Sequence, residues 1–252
     1  MTGPRSVRRA AYLQALGIDS WVPRGVPPGN PAGSVAPSAA RPPGLADPVP
    51  APPVTPDAWA SLESEVAQCR RCGLHAGRTQ TVFGVGDRQA RWMVVGEAPG
   101  AEEDLQGEPF VGAAGQLLNA MLQAIGLPRA SVYSANVLKC RPPENRDPAP
   151  AEVAQCLPYL HRQMQLLRPT LILVLGRIAA HNLLGTDDPI SRLRGQVHRF
   201  GPLNTPLVVT YHPVYLLRNP ADKRKAWEDL KFARRVYEES SGVRAGLEPS
   251  QG

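Results

Sequence analysis

Four cysteines, a glutamate, a histidine, an asparagine and a phenylalanine stand where side chains of their type can do chemistry. Cys69-Arg70-Arg71-Cys72 is a CxxC pair, and Cys140 and Cys156 complete a set of four with 15 residues between them. All-thiolate ligation suits structural zinc or an iron–sulfur cluster. A zinc ribbon would bring two short knuckles, and the second pair is too widely spaced, so the spacing favours [4Fe–4S]. Gly96-Glu97-Ala98-Pro99-Gly100 sets a carboxylate in a glycine- and proline-shaped turn where backbone can approach a ligand. His212-Pro213 ends a second apolar run with an imidazole. Read singly, Glu97 is a solvated turn residue and His212 a structural histidine; read together, they could share one acid–base site.

Two further residues suit a nucleobase. Gly107-Glu108-Pro109-Phe110-Val111-Gly112 presents one aromatic between glycines, either plain core or a stacking platform for a base. Asn136 lies among Tyr133, Ala135, Val137 and Leu138, where a buried amide must find partners. Its donor/acceptor edge suits the Watson–Crick edge of a pyrimidine, and a local backbone bond would satisfy it equally well.

The elements that must hold these residues follow from apolar periodicity. Strand-like runs cover residues 91–97, 132–139, 170–176 and 206–212. Helix-like segments cover 57–69, with Asp57 as N-cap, then 114–126, 149–167, 177–184 and 222–239. Strands that alternate with helices and read as near-continuous Val/Ile/Leu imply a parallel sheet covered on both faces. The expected fold class is α/β, a three-layer α/β/α sandwich around a four-stranded, mainly parallel sheet. Ligands bind such sheets outside the carboxyl ends of the strands, where Glu97 and His212 fall, while Asn136 lies within the second strand.

Composition divides the chain of 252 residues. Twelve of its 28 prolines fall between Pro23 and Pro56. Residues 23–56 are therefore expected to be a disordered linker, 1–22 a short segment able to dock a protein partner, 57–240 the folded domain and 241–252 a disordered tail. No apolar run is long enough to span a membrane, and the N-terminal run is too short for a signal-peptide core, which implies a cytoplasmic protein. In that compartment four cysteines are thiols or metal ligands rather than disulfides. The net charge of +6 is compatible with a polyanionic partner and does not by itself demonstrate one.

These motifs together resemble the family 4 uracil-DNA glycosylases, the iron–sulfur branch of the uracil-DNA glycosylase superfamily. The matching strings are Gly96 to Gly100 followed by Glu102-Glu103-Asp104, residues 107–119, residues 136–146, and His212-Pro213 with Tyr215-Leu216-Leu217-Arg218-Asn219-Pro220. The resemblance covers about residues 57–240 and places the four cysteines at cluster-ligand positions. It implies a monomeric, monofunctional enzyme that flips uracil out of single- or double-stranded DNA and hydrolyses its N-glycosidic bond. His212 would donate a hydrogen bond to the departing base and Glu97 would orient or activate water. Phe110 would stack on uracil, Asn136 would bond its N3/O4 edge, and the backbone at Ala98 and Pro99 would touch it. Ala98 stands where the best-known branch of the superfamily has Asp, which leaves Glu97 as a substitute base.

After His212 a loop with Leu216 and Leu217 would wedge into the vacated space, with Arg218 on a phosphate. Val214 replaces a common Ser there. Lys139, Arg141, Arg146, Arg218, Lys223, Arg224 and Lys225 would form the backbone track. Two alternatives keep the same fold: a non-catalytic nucleic-acid-binding module, and a covalent uracil-DNA binder. The second requires an Arg-rich insertion after Lys139-Cys140, where this chain continues with Arg141-Pro142-Pro143.

Overall fold

The structure, a computed structural model, describes residues 56–242. The expectations for 1–22, for nearly all of 23–56 and for the end of the tail lie outside the described residues.

The elements are α1 (Pro56–Ala67), β1 (Val85–Gly86), β2 (Trp92–Gly96), α2 (Ala101–Gln106), α3 (Ala113–Ala124), β3 (Tyr133–Asn136) and α4 (Pro150–Leu167). They continue with β4 (Leu171–Leu175), α5 (Arg177–Leu184), α6 (Ile190–Leu193), β5 (His198–Phe200), β6 (Thr205–Thr210), α7 (Pro213–Arg218) and α8 (Lys223–Ser241). The sheet has six strands in the order β1-β3-β2-β4-β6-β5. Its four central strands are parallel, and β1 and β5 pair antiparallel at the two edges. The expected four-stranded sheet is thus corrected to six. Both added strands are short, only two and three residues, and neither is buried, so they lack the apolar run that marks the centre.

Alternation along the central strands feeds two cores. Met93, Val95, Ala135, Ile172, Val174, Leu207 and Val209 face Trp59, Leu62 and Val66 of α1, Val153, Tyr159 and Leu160 of α4, and Ala179, Ala180 and Leu183 of α5. Trp92, Val94, Leu171, Leu173 and Val208 face Leu118 and Leu122 of α3, Leu216 of α7 and Ala226, Leu230 and Ala233 of α8. Helices on both faces explain why β2 and β4 are buried at every position. Among the described residues, no helix is long and apolar enough to cross a membrane.

Three helix boundaries also differ from expectation in ways that matter. α1 ends at Ala67, so Cys69 and Cys72 stand beyond it and Asp57 lies inside its first turn. The segment after His212 is a helix, α7, opened by Pro213 in the first-turn position where proline needs no amide. α8 continues to Ser241.

Beneath β6 the two cores are tied by a buried ion pair. Arg194 Nε and Nη2 donate to the Asp229 carboxylate at 2.6 and 2.9 Å, and the Thr210 hydroxyl donates to the same group at 2.7 Å. Arg194 also lies over the Tyr211 ring, 4.4 Å from its centroid. Removing one partner of such a pair strands a charge out of water. Asp229→Ala is therefore expected to cost about 3 kcal/mol, read as a lower urea midpoint at unchanged slope, with Asp229→Asn losing less.

Candidate active site

The carboxyl ends of β2, β3 and β6 open onto a cleft of about 640 Å³. Its walls include Glu97, Ala98, Pro99, Phe110, Asn136, His212 and Arg218, so seven of the expected base- and DNA-contacting residues meet in one place. The register explains the meeting. Gly96 is paired with Asn136, and the pairing runs on as Val137 and Leu138 amides donate to the Gly96 and Glu97 carbonyls at 3.0 Å each.

Asn136 is almost wholly buried, and its amide Oδ1 has no hydrogen-bond partner. A buried orphan acceptor of this kind is costly unless a ligand completes it. Beside it Gly96 leaves a gap that no side chain could occupy. An added Cβ would lie 2.5 Å from Asn136 Oδ1 and 2.6 Å from Phe110 Cζ. The absence of a side chain lets the amide and the ring reach the same spot.

Phe110 sits in the left-handed region at φ 61°, uncommon for a bulky residue and costing about 1–3 kcal/mol. The conformation is held from several sides. Gly115 packs so closely under the Phe110 carbonyl that a Cβ there would be 1.6 Å from its oxygen. Glu103 accepts from the Gly100 amide at 3.0 Å and from the Val111 amide at 3.2 Å, clamping the loops on either side of the cleft. Asp104, buried, accepts from the Thr79 amide at 3.0 and 3.1 Å. The Phe110 ring centroid lies 6.2 Å from that of His212.

His212 caps α7, and its Nδ1 accepts from the Val214 amide at 3.2 Å. Burial lowers its pKa to about 4, so near neutrality the ring is uncharged and its single proton is on Nε2. Val214 serves this cap through its backbone, so the missing hydroxyl does not remove it. The Glu97 carboxyl is raised to about 7, first by burial, then by the charge of Asp147, with Arg177 opposing both. Arg177 and Asp147 face each other at 3.6 Å, and both line the cleft. A donor with a neutral ring and a carboxyl poised near 7 are suited to stabilising a leaving anion and taking a proton from water.

Several expectations are corrected. Leu216 is not a wedge: it is 1% exposed and packs into the core against α8, because its face of α7 turns inward. Leu217, 44% exposed, and Arg218 on the outer face remain available. Lys139 is not on a phosphate track. It is fully buried, donating through Nζ to the Asn136 carbonyl at 2.9 Å and Gln163 Oε1 at 2.7 Å, and burial lowers its pKa to about 8. Arg146 is exposed and bidentate with Glu152, at 2.9 and 2.6 Å. Lys223, Arg224 and Lys225 are exposed at the start of α8. Glu103, Asp147 and Arg177 were not assigned roles from sequence; Glu103 alone carried a signal, as an acidic residue three positions after Gly100, which caps α2.

On the α1/α4 side of the sheet, Cys69, Cys72, Cys140 and Cys156 line one small cavity. All four are free thiols. Arg78 Nη1 donates to Cys140 Sγ at 3.1 Å and the Lys139 amide donates to Cys156 Sγ at 3.2 Å. Burial pushes the Cys156 thiol up to about 11 and also raises that of Cys140, with Arg78 opposing. Among the described residues, no three His, Cys, Asp or Glu side chains converge tightly enough to ligate a single metal ion.

Comparison with known proteins identifies the family. Residues 83–231 match the family model of the uracil DNA glycosylase superfamily. The chain is 48% identical over 174 residues to the type-4 uracil-DNA glycosylase of Archaeoglobus fulgidus, covering 66% of this chain and 87% of that protein. It is 40% identical over 177 residues to the type-4 enzyme of Thermotoga maritima, covering 69% and 91%. It is also 33% identical over 149 residues to the type-5 uracil-DNA glycosylase of Thermus thermophilus, covering 52% and 68%. With its parallel strand ends, its orphan amide beside an aromatic ring and a match across more than half its length, the chain belongs to the uracil DNA glycosylase superfamily.

Proposed function

We propose that the protein excises uracil from DNA, hydrolysing the N-glycosidic bond to leave an abasic site at the start of base-excision repair. The observation that carries the reading is the unpartnered Asn136 amide at the foot of a cleft walled by Phe110 and His212. An extruded uracil stacked on Phe110 would give that amide its missing partner along the N3/O4 edge. As the bond from C1′ to N1 breaks, its electron pair moves onto the base, and the His212 Nε2–H donates to the developing oxyanion. Water adds to C1′ from the Glu97 side, and its proton passes to the Glu97 carboxylate. The backbone at Ala98 and Pro99 borders the base, while Leu217 and Arg218 on the outer face of α7 meet the DNA. A chain with this machinery is a monofunctional hydrolase that needs no covalent intermediate.

The four thiols fit a [4Fe–4S] cluster held by Cys69, Cys72, Cys140 and Cys156. An all-cysteine donor set lining one small cavity suits such a cluster, and the wide spacing of Cys140 and Cys156 sets it apart from the two short knuckles of a zinc ribbon. Through these four residues a bound cluster would tie together the turn after α1, the segment after β3 and α4. Arg78 and the Lys139 amide offset the charge that thiolates bring.

Incubation with a labelled uracil-containing oligonucleotide is expected to yield free uracil and an alkali-labile strand. Binding without release would favour a non-catalytic module, and an SDS-resistant adduct a covalent binder. The pH profile tests Glu97. A base must be ionised, so single-turnover release is expected to rise with pH through about 7. Asp147→Asn removes a repelling charge and moves the midpoint down, whereas Arg177→Met removes an attracting one and moves it up. The purified protein is expected to be brown with broad visible absorbance. Cys140→Ala is expected to lose the colour, and colourless protein with stoichiometric zinc would overturn the cluster.

A further inference from the structure

We propose that Arg129 is a positioning residue for the base-stacking ring of Phe110, acting from behind it without touching the substrate. This rests on the glycosylase reading above. Arg129 opens the short 3-10 turn Arg129–Ser131 that leads into β3, and it is not part of the cleft wall. Its Nη2 donates to the Pro109 carbonyl at 2.9 Å, the peptide that immediately precedes Phe110. Its guanidinium lies over the Phe110 ring, Cζ 5.5 Å from the centroid. One side chain therefore grips both the backbone and the ring of the same residue.

That residue is the one whose backbone is strained. At φ 61° Phe110 would relax to an ordinary conformation if the loop were free, and relaxation would swing the ring out of the cleft. Gly115 and Glu103 oppose this from the backbone side, by close packing under the Phe110 carbonyl and by the bond to the Val111 amide. Arg129 alone among these also holds the ring. Its Nη1 is buried with no partner, so the side chain gives up hydration to stay where it is. A residue that served only to satisfy a loop carbonyl would not need its planar group over the aromatic face, where cation–π attraction and planarity favour Arg over Lys.

The test is a double-mutant cycle on single-turnover uracil release, with thermal melting measured in parallel. Arg129→Met in the otherwise unaltered full chain is expected to slow release about tenfold, equivalent to ~1.4 kcal/mol of barrier. Arg129→Lys, which keeps a donor for Pro109 but not the plane, is expected to fall between the two and serves as the variant if Met does not fold. In a Phe110→Ala background, where the ring is gone, the same Arg129 substitution is expected to change the rate less than twofold. An equal loss in both backgrounds, or release by Arg129→Met at the parental rate, would overturn the proposal and leave the glycosylase reading standing. No release by the parent chain would instead overturn the reading and the inference with it.

Discussion

The site depends on four strands running in one direction. Because β3, β2, β4 and β6 are parallel, their carboxyl ends share one edge, and the residues that follow them are delivered to one place from distant parts of the chain. Gly96 and Asn136 are directly paired, while His212 comes in two residues past the end of β6. A slip of one residue between β2 and β3 would turn Asn136 to the other face of the sheet. The two apolar cores hold that register by burying alternate side chains of the central strands, and Phe110 belongs both to one of these cores and to the cleft wall.

Within the cleft, burial is the largest influence on both titrating groups. It keeps His212 neutral and sets the Glu97 carboxyl near 7, so two groups whose ordinary ionisation differs by about two units are driven past each other. The reversal separates their roles: the imidazole is left as a donor and the carboxyl as an acceptor of protons. On the opposite side of β3, Lys139 joins the thiol cavity to the base-reading strand, since its amide meets Cys156 and its ammonium meets the Asn136 carbonyl.

The legible parts of the sequence were those whose physics is local. Runs such as Leu171 to Leu175 announce a strand buried on both faces, and the positions of Glu97 and His212 at the ends of such runs point to a shared edge, whereas Asn136 read as mid-strand because the apolar run continues past it to Leu138. The edge strands were not legible because two- and three-residue pairings lack both length and burial. Leu216 and Leu217 are identical in type and adjacent, and only the orientation of α7 decides that one is core and the other exposed. Lys139 read as a surface cation because nothing in its neighbours revealed that Gln163, 24 residues on, would accept its hydrogen bond inside the fold. The left-handed Phe110 and the Asp147–Arg177 pair likewise arise from tertiary packing, which one-dimensional patterns do not carry.

Gly96 gives the pocket an unusual limit. Two of the residues that wall it, Asn136 and Phe110, already occupy the space a methyl group on Gly96 would take. Substitution there can shrink the pocket but never enlarge it, since nothing remains to be trimmed. Any drift of this chain toward bulkier bases must therefore begin elsewhere, by moving the Phe110 loop or the walls contributed by Ala98 and Ala114.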